Sequence, residues 1–203
     1  MFDDRIDAGR QLADALAAYK GAPEAAVFGI PRGGVIVAAE VARVLDLPLG
    51  VAIAAKVGAP SHAEYAIGAV AADGVVTPNP EAGYSPEAVD ELAEAARAKV
   101  AHEMTRLAGT HTLPEPTGRT AILVDDGLAT GLTAIAAAGW LKRAGATRVV
   151  VAVPVAPPST VREMRRHADE VIVLEEPEWF QAVGQFYRRF GQTDDSEVEA
   201  ALH

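Results

Sequence analysis

Apolar positions along the chain follow two periods in turn. Between Asp4 and Tyr19, the residues Ile6, Leu12, Leu16 and Tyr19 recur near helical spacing, and Gly21 and Pro23 close the segment, which predicts an amphipathic helix. The short apolar run AAVFGI (25–30) predicts a strand. A loop, Pro31-Arg32-Gly33-Gly34, then leads into a helix through VIVAAEVARVLDL that ends near Asp46 and Pro48. LGVAIAAK reads as a second buried strand ending on Lys56. From Val57 to Asn79 small and turn-forming residues take over, with AIGAVA and GVVTPN as the arms of a hairpin around Asp73-Gly74. Ser85-Pro86-Glu87 gives an N-cap, a first-turn proline and an acid in the right order, opening a long helix to about Leu107 that Gly109 and Pro114 end.

The second half repeats the alternation. TAILV (120–124) is a strand, DDGLATG a loop, and LTAIAAAGWLKRAG a helix stopping at Gly145. RVVVAVPVA is the next strand, TVREMRRHA a helix capped by Ser159, and EVIVLEE the last strand before a distinct segment from Pro177. Strands alternating with helices of similar length predict an α/β fold: a parallel twisted sheet with helices on both faces. The expected organisation is a single domain over 1–203, with 57–79 as a flexible hairpin insertion and 175–203 as a small C-terminal appendage.

Composition narrows the function classes. With 203 residues, 50% of them hydrophobic, disorder is excluded and a core able to hold a rigid site is feasible. There is no cysteine, so disulfides and thiolate metal sites are impossible. The formal net charge of -10 disfavours sequence-independent binding to nucleic acid, although a small anion can still be held where basic groups and backbone amides converge. No apolar run approaches the ~20 residues of a membrane helix. The N-terminus carries charges from its third residue without an apolar h-region, so a cytoplasmic location is expected.

The strongest chemical signal is AILVDDGLATGLTA (121–134). An apolar strand ends in Asp125 and Asp126, and the loop that follows, with Gly127, Leu128, Ala129, Thr130, Gly131 and Thr133, opens a helix. Glycines admit an anion to the backbone amides, threonine hydroxyls add donors, and the helix N-terminus adds partial positive charge, which together make a phosphate cradle. No Lys-Ser/Thr follows the glycines, and the spacing is not GxGxxG, so the Walker and dinucleotide motifs are excluded. The acid pair would repel phosphate unless it addresses sugar hydroxyls or a metal ion. Arg32, Gly33 and Gly34 stand at the carboxyl end of the first strand, where open α/β sheets gather ligands, and Lys56 ends another strand at that edge.

On these residues, ILVDDGLATGLT (122–133) resembles the phosphoribosyl-diphosphate (PRPP) signature of type I phosphoribosyltransferases almost position for position. The resemblance implies that Asp125 and Asp126 contact the ribose hydroxyls, directly or through magnesium-bound water, and that Gly127 to Thr133 hold the 5-phosphate. It implies pyrophosphate contacts from Arg32, Gly33, Gly34 and Lys56, with a cis or strained peptide at Pro31-Arg32, and catalytic roles for Asp125, Asp126 and Arg32. Magnesium is the implied cofactor; PRPP and a small-molecule acceptor are the implied partners, and a homodimer stays open. In these enzymes a loop placed like 57–79 closes over the reacting centre. This chain departs from members with a basic residue there, since only His62 stands in the segment, and it reads as a solvated histidine. The hood that selects the acceptor would be EEPEWFQAVGQFYRRF, with Trp179 and Phe180 nearest the acceptor and Phe186, Tyr187 and Phe190 as a packing stripe at helical spacing.

The implied activity is a pentosyl-group glycosyltransferase of nucleotide metabolism, passing a 5-phosphoribosyl group from magnesium-PRPP to a nitrogenous base or similar acceptor and releasing pyrophosphate. The alternative is a non-catalytic PRPP- or nucleotide-sensing regulator, because a fold does not dictate a function.

Overall fold

The computed structural model describes residues 1–60, 62–108 and 113–203. Among them, the strands are β1 (Ala25–Gly29), β2 (Leu49–Val51), β3 (Ala54–Ala59), β4 (His62–Ala71), β5 (Val76–Pro78), β6 (Thr120–Val124), β7 (Arg148–Val155) and β8 (Glu170–Glu175). The helices are α1 (Arg5–Ala15), α2 (Gly33–Leu45), α3 (Pro86–Glu91), α4 (Glu94–Ala108), α5 (Leu132–Arg143), α6 (Pro158–Met164) and α7 (Asp195–Ala201). Five strands form one parallel sheet in the order β2-β1-β6-β7-β8. The fold is α/β, as the alternation predicts.

Successive residues of each central strand go to opposite faces. Phe28, Leu123, Val151 and Val153 pack against Ile135 and Leu141 of α5 and Val161 and Met164 of α6. Val27, Ile122, Val124 and Val150 pack on the other face against Leu12 of α1 and Val41 and Leu45 of α2. Both faces are covered, so both sets must be apolar, which is why these strands read as unbroken hydrophobic runs. No helix among the described residues is long and apolar enough to cross a membrane.

The structure corrects several local expectations. LGVAIAAK is not one strand: β2 ends at Val51, and Lys56 lies in β3 of a separate antiparallel sheet, β3-β4-β5. Its exposed side chain stands between buried Ala55 and Val57, the alternation of a strand with one wet face. The insertion therefore begins at Ala54 rather than Val57, while the hairpin turn at Asp73-Gly74 falls as predicted, with Gly74 at φ +77°; Ser61 lies outside the described residues. The long helix from Ser85 is two helices. Arg97 donates from Nη1 to the carbonyl of Asp90 at 3.0 Å, an acceptor that a continuous helix would use, and the chain steps at Leu92. Its capping by Ser85 holds, with Oγ accepting from the Ala88 amide at 3.2 Å; its expected end at Gly109 lies outside the described residues. Helix α6 starts at Pro158, one residue before Ser159, which is inside it rather than its cap. The aromatic stripe of the C-terminal segment is not helical: it holds one 3-10 turn, Val183–Phe186, and the helix comes later, as α7.

Candidate functional site

Strands β1 and β6 are neighbours in parallel register, Gly29 opposite Val124, so the loops that leave them start side by side at the carboxyl edge of the sheet. The peptide between Pro31 and Arg32 is cis, as expected. Helix α2 then begins at Gly33, which makes Gly33 and Gly34 its first turn rather than a loop before it. Helix α5 begins behind Gly131, whose φ of +72° belongs to the left-handed region and whose added Cβ would come within 2.8 Å of Thr160 Cγ2, so glycine is required there on both counts. Among the described residues no side chain caps either helix. Two helix N-termini thus present their opening amides at one edge, a ready anion site.

The glycines of the first loop are explained by the acids of the second. A Cβ on Gly33 would lie 2.0 Å from Asp126 Oδ2, and one on Gly34 would lie 2.7 Å from Asp125 Oδ1 and 2.8 Å from Asp125 Cα. The sequence-predicted residues Arg32-Gly33-Gly34 and Asp125-Asp126 are therefore packed backbone against carboxylate.

Burial, and then the charge of Asp126 beside it, push Asp125 well above the usual carboxylate range. The charges of Arg5 and, least of all, Lys56 pull the other way. Burial also raises Asp126, against Arg5. Arg5 donates from Nε to Asp126 Oδ2 at 2.8 Å and from Nη1 to the Gly191 carbonyl at 2.8 Å, with its guanidinium 4.1 Å from the centre of the Phe190 ring. In the second loop Ala129 and Thr130 are exposed, Thr133 is half-buried in the first turn of α5, and Gly127 and Leu128 are buried. Leu128 is a packing residue whose amide donates to the Val155 carbonyl at 2.9 Å, and Thr160 Oγ1 donates to the Ala129 carbonyl at 2.5 Å, fixing the loop from α6.

Arg32 is only half in place. Its backbone lies beside the second loop, but its guanidinium pairs with Asp195 of α7 at 3.8 Å, both lining a 390 Å³ cavity together with Lys99 and Glu103. The C-terminal segment reaches the second loop through residues the motif does not name. Val183 closes on Gly127, where an added Cβ would come within 2.6 Å of Val183 Cγ1, and Tyr187 donates its hydroxyl to the Asp126 carbonyl at 2.6 Å. Burial and the nearby Asp126 charge raise the Tyr187 phenol. Phe180 stacks on Phe186, with centroids 5.5 Å apart, whereas Trp179 is 92% exposed. Arg5, Val183 and Tyr187 are thus site residues that the sequence pattern missed; the single available signal was a cation, Arg5, in the first turn of a helix, where the macrodipole disfavours it.

Among the described residues no three acids or histidines form a cage for a metal ion. Magnesium does not need one, because it keeps several waters and is held by one or two carboxylates together with substrate oxygens. The Asp125–Asp126 donor set fits that mode.

The phosphoribosyl transferase domain family model matches residues 3–190. Two curated proteins of Mycobacterium tuberculosis, from strains CDC 1551 / Oshkosh and ATCC 25618 / H37Rv, carry the provisional name phosphoribosyl transferase and are each 45% identical over 207 residues; the match covers all of this chain and 46% of theirs. The chain thus spans under half the length of these relatives. Among solved structures, the TT1426 protein of Thermus thermophilus superposes with a TM-score of 0.85 at 42% identity, over 100% of this chain and 97% of that one. A purine phosphoribosyltransferase of Pyrococcus horikoshii shares the fold, with a TM-score of 0.51 at 19% identity over 94% of this chain and 93% of that one. The family match takes in both loops, the acid pair and the segment that carries Tyr187, and the chain belongs to the phosphoribosyl transferase domain family.

Proposed function

We propose that the chain binds magnesium-PRPP at the joint between the two loops and transfers its 5-phosphoribosyl group to a nitrogenous base or similar small acceptor, with release of pyrophosphate. One observation carries this reading: the amide-bearing turn Gly33-Gly34 is pressed against Asp125 and Asp126, so donors for phosphate and acceptors for sugar hydroxyls lie within one substrate's length. The opening amides of α5, with Thr130 and Thr133, suit the 5-phosphate, and those of α2, with Lys56, suit the pyrophosphate.

In this mechanism the protein positions reactants and neutralises charge. As pyrophosphate departs, positive charge grows on the ribose ring; Asp125 and Asp126 hold the ring hydroxyls and lie near that charge. Arg32 exchanges its distant partner Asp195 for the leaving pyrophosphate. Bound magnesium supplies further charge neutralisation on the phosphate oxygens. The stretch from Ala54 to Asn79 serves as the cover that excludes water, and residues 175–203 as the hood, with Trp179 and Phe180 offered to the acceptor.

Isothermal titration with magnesium-PRPP tests the reading, followed by a pyrophosphate-release screen over purines, pyrimidines and orotate. Asp125→Asn combined with Asp126→Asn is expected to weaken binding at least tenfold, about 1.4 kcal/mol, with the circular dichroism spectrum unchanged. No binding by the wild-type chain, or equal binding by the double variant, refutes it. Binding without turnover of any acceptor selects the sensor over the enzyme.

A further inference from the structure

Arg5 stands where local chemistry disfavours it. It is the first residue of α1, at the positive end of the macrodipole, directly behind the N-cap Asp4. Its side chain is 13% exposed, so its charge is largely removed from water, which costs several kcal/mol unless partners offset it. The partners come from two separate stretches, both far from Arg5 in sequence. Nε donates to Asp126 Oδ2, Nη1 donates to the Gly191 carbonyl, and the Phe190 ring lies against the guanidinium face. The same Nε is 2.7 Å from the place where a Cβ of Gly33 would stand, so Arg5 also touches the first loop. A cation placed against local preference and held by long-range partners alone marks a position kept for the site rather than for the helix.

The grip is directional. A planar guanidinium with two donors engaged in different directions, and one face on a ring, has little freedom to turn. Asp126 is held by one oxygen, and its main chain is fixed separately by Tyr187. From this we infer that Arg5 is a positioning residue: it orients the Asp126 carboxylate for the ribose hydroxyls of PRPP and makes that orientation depend on the docking of Phe190 and Gly191. The inference rests on the reading of the site as a PRPP site.

A double-mutant cycle tests it, with magnesium-PRPP affinity measured by titration for the wild type, Arg5→Met, Asp126→Asn and the double variant. Arg5→Met is expected to weaken binding at least tenfold in the wild-type background and less than twofold in the Asp126→Asn background. Arg5→Lys is expected to recover part of the loss, because an ammonium can satisfy Asp126 but not Asp126 and Gly191 together. A residue that only stabilises the fold would lower the melting temperature and leave the affinity of the folded protein unchanged. No loss with Arg5→Met, or the same loss in both backgrounds, overturns the inference. If Arg5→Met does not fold, the cycle is read with Arg5→Lys, for which a loss confined to the wild-type background supports the inference and an absent or equal loss overturns it. Asp126→Asn alone separates the two readings. If it leaves affinity unchanged, the assignment of Asp126 to the ribose fails and the inference falls with it; if it weakens binding while Arg5→Met does not, only the inference fails.

Discussion

Replacing Gly33 and Gly34 one at a time by alanine should separate binding from folding. Both residues open α2 without a left-handed φ, so the backbone tolerates alanine, and helix propensity alone favours it by about 0.8–1 kcal/mol over glycine in a helix interior. The neighbours decide the rest. At position 33 the added methyl meets the end of the Asp126 side chain, Oδ2 at 2.0 Å and Cγ at 2.8 Å, and Arg5 Nε at 2.7 Å. These are side-chain ends rather than backbone, but they can make room only by breaking the Arg5–Asp126 clamp, so Gly33→Ala should cost about 1–2 kcal/mol, less than Gly34→Ala. What cannot survive is the placement of the carboxylate, and magnesium-PRPP affinity should fall at least tenfold. At position 34 the methyl meets Asp125 Cα at 2.8 Å and the Val124 carbonyl at 3.0 Å, backbone atoms that move only if β6 moves. Gly34→Ala should therefore lose about 2–3 kcal/mol of stability as well as binding. Titration calorimetry and urea denaturation read the two effects independently. Wild-type affinity in Gly33→Ala, or a Gly34→Ala variant as stable as the wild type, would refute the claim that these glycines exist to admit the acids.

Trp179→Ala should leave stability within about 0.5 kcal/mol, because the side chain is exposed, and should raise the acceptor KM without changing PRPP affinity; an unchanged KM removes Trp179 from the acceptor site. Phe186→Ala should cost about 1–2 kcal/mol, less than a fully buried ring, since it is half-buried and stacked on Phe180; a loss above about 3 kcal/mol would show that it is core. Glu40 is 7% exposed between α1 and α2 and accepts from Arg43 at 2.7 and 2.9 Å and from Arg10 at 2.9 Å. Arg43 first, then Arg10, hold its carboxyl below the usual range against burial. A depressed folded pKa gives stability that is full above the unfolded value and lost as pH falls through the folded one. The wild type should thus exceed Glu40→Gln by about 1–3 kcal/mol at neutral pH, with the gap closing below about pH 4; a gap independent of pH contradicts it.

Local signals carried most of the fold. TAILV needed only an apolar run between polar brackets to mark β6, and Ser85-Pro86 needed only cap chemistry to mark the start of α3. The Asp125–Thr133 loop was legible because its glycine, threonine and acid spacing is itself the chemistry. What escaped depends on distant partners. At the step between α3 and α4 the Asp90 carbonyl accepts from the Ala93 amide and from the Arg97 guanidinium, a side-chain contact that helix propensity does not report. Lys56 was placed on the wrong sheet, because β2 and β3 are parted only by Ala52 and Ile53, and nothing in an apolar run says where one sheet ends. Phe186, Tyr187 and Phe190 kept helical spacing without a helix, since ring contacts to Phe180, Phe2 and Arg5 decided the path. Arg5 meets Asp126 across 121 positions of sequence, a distance no periodicity spans.

The pairing of residues 2–5 with residues 186–191 has a bearing on when the site can exist. The Phe2 amide donates to the Phe186 carbonyl, Arg188 pairs with Asp3 and Arg189 with Asp4, while Arg5 is secured by Gly191. During synthesis Arg5 leaves the ribosome 186 residues ahead of Gly191, its last partner. The strands and both glycine turns can assemble from what has already emerged, since domains fold from the N-terminal side as they are made. The carboxylate clamp cannot. A nascent chain halted before residue 186 should hold the sheet yet lack the contacts that fix Asp126, so ligand binding would begin as an abrupt step once residues 186–191 have emerged instead of growing with chain length.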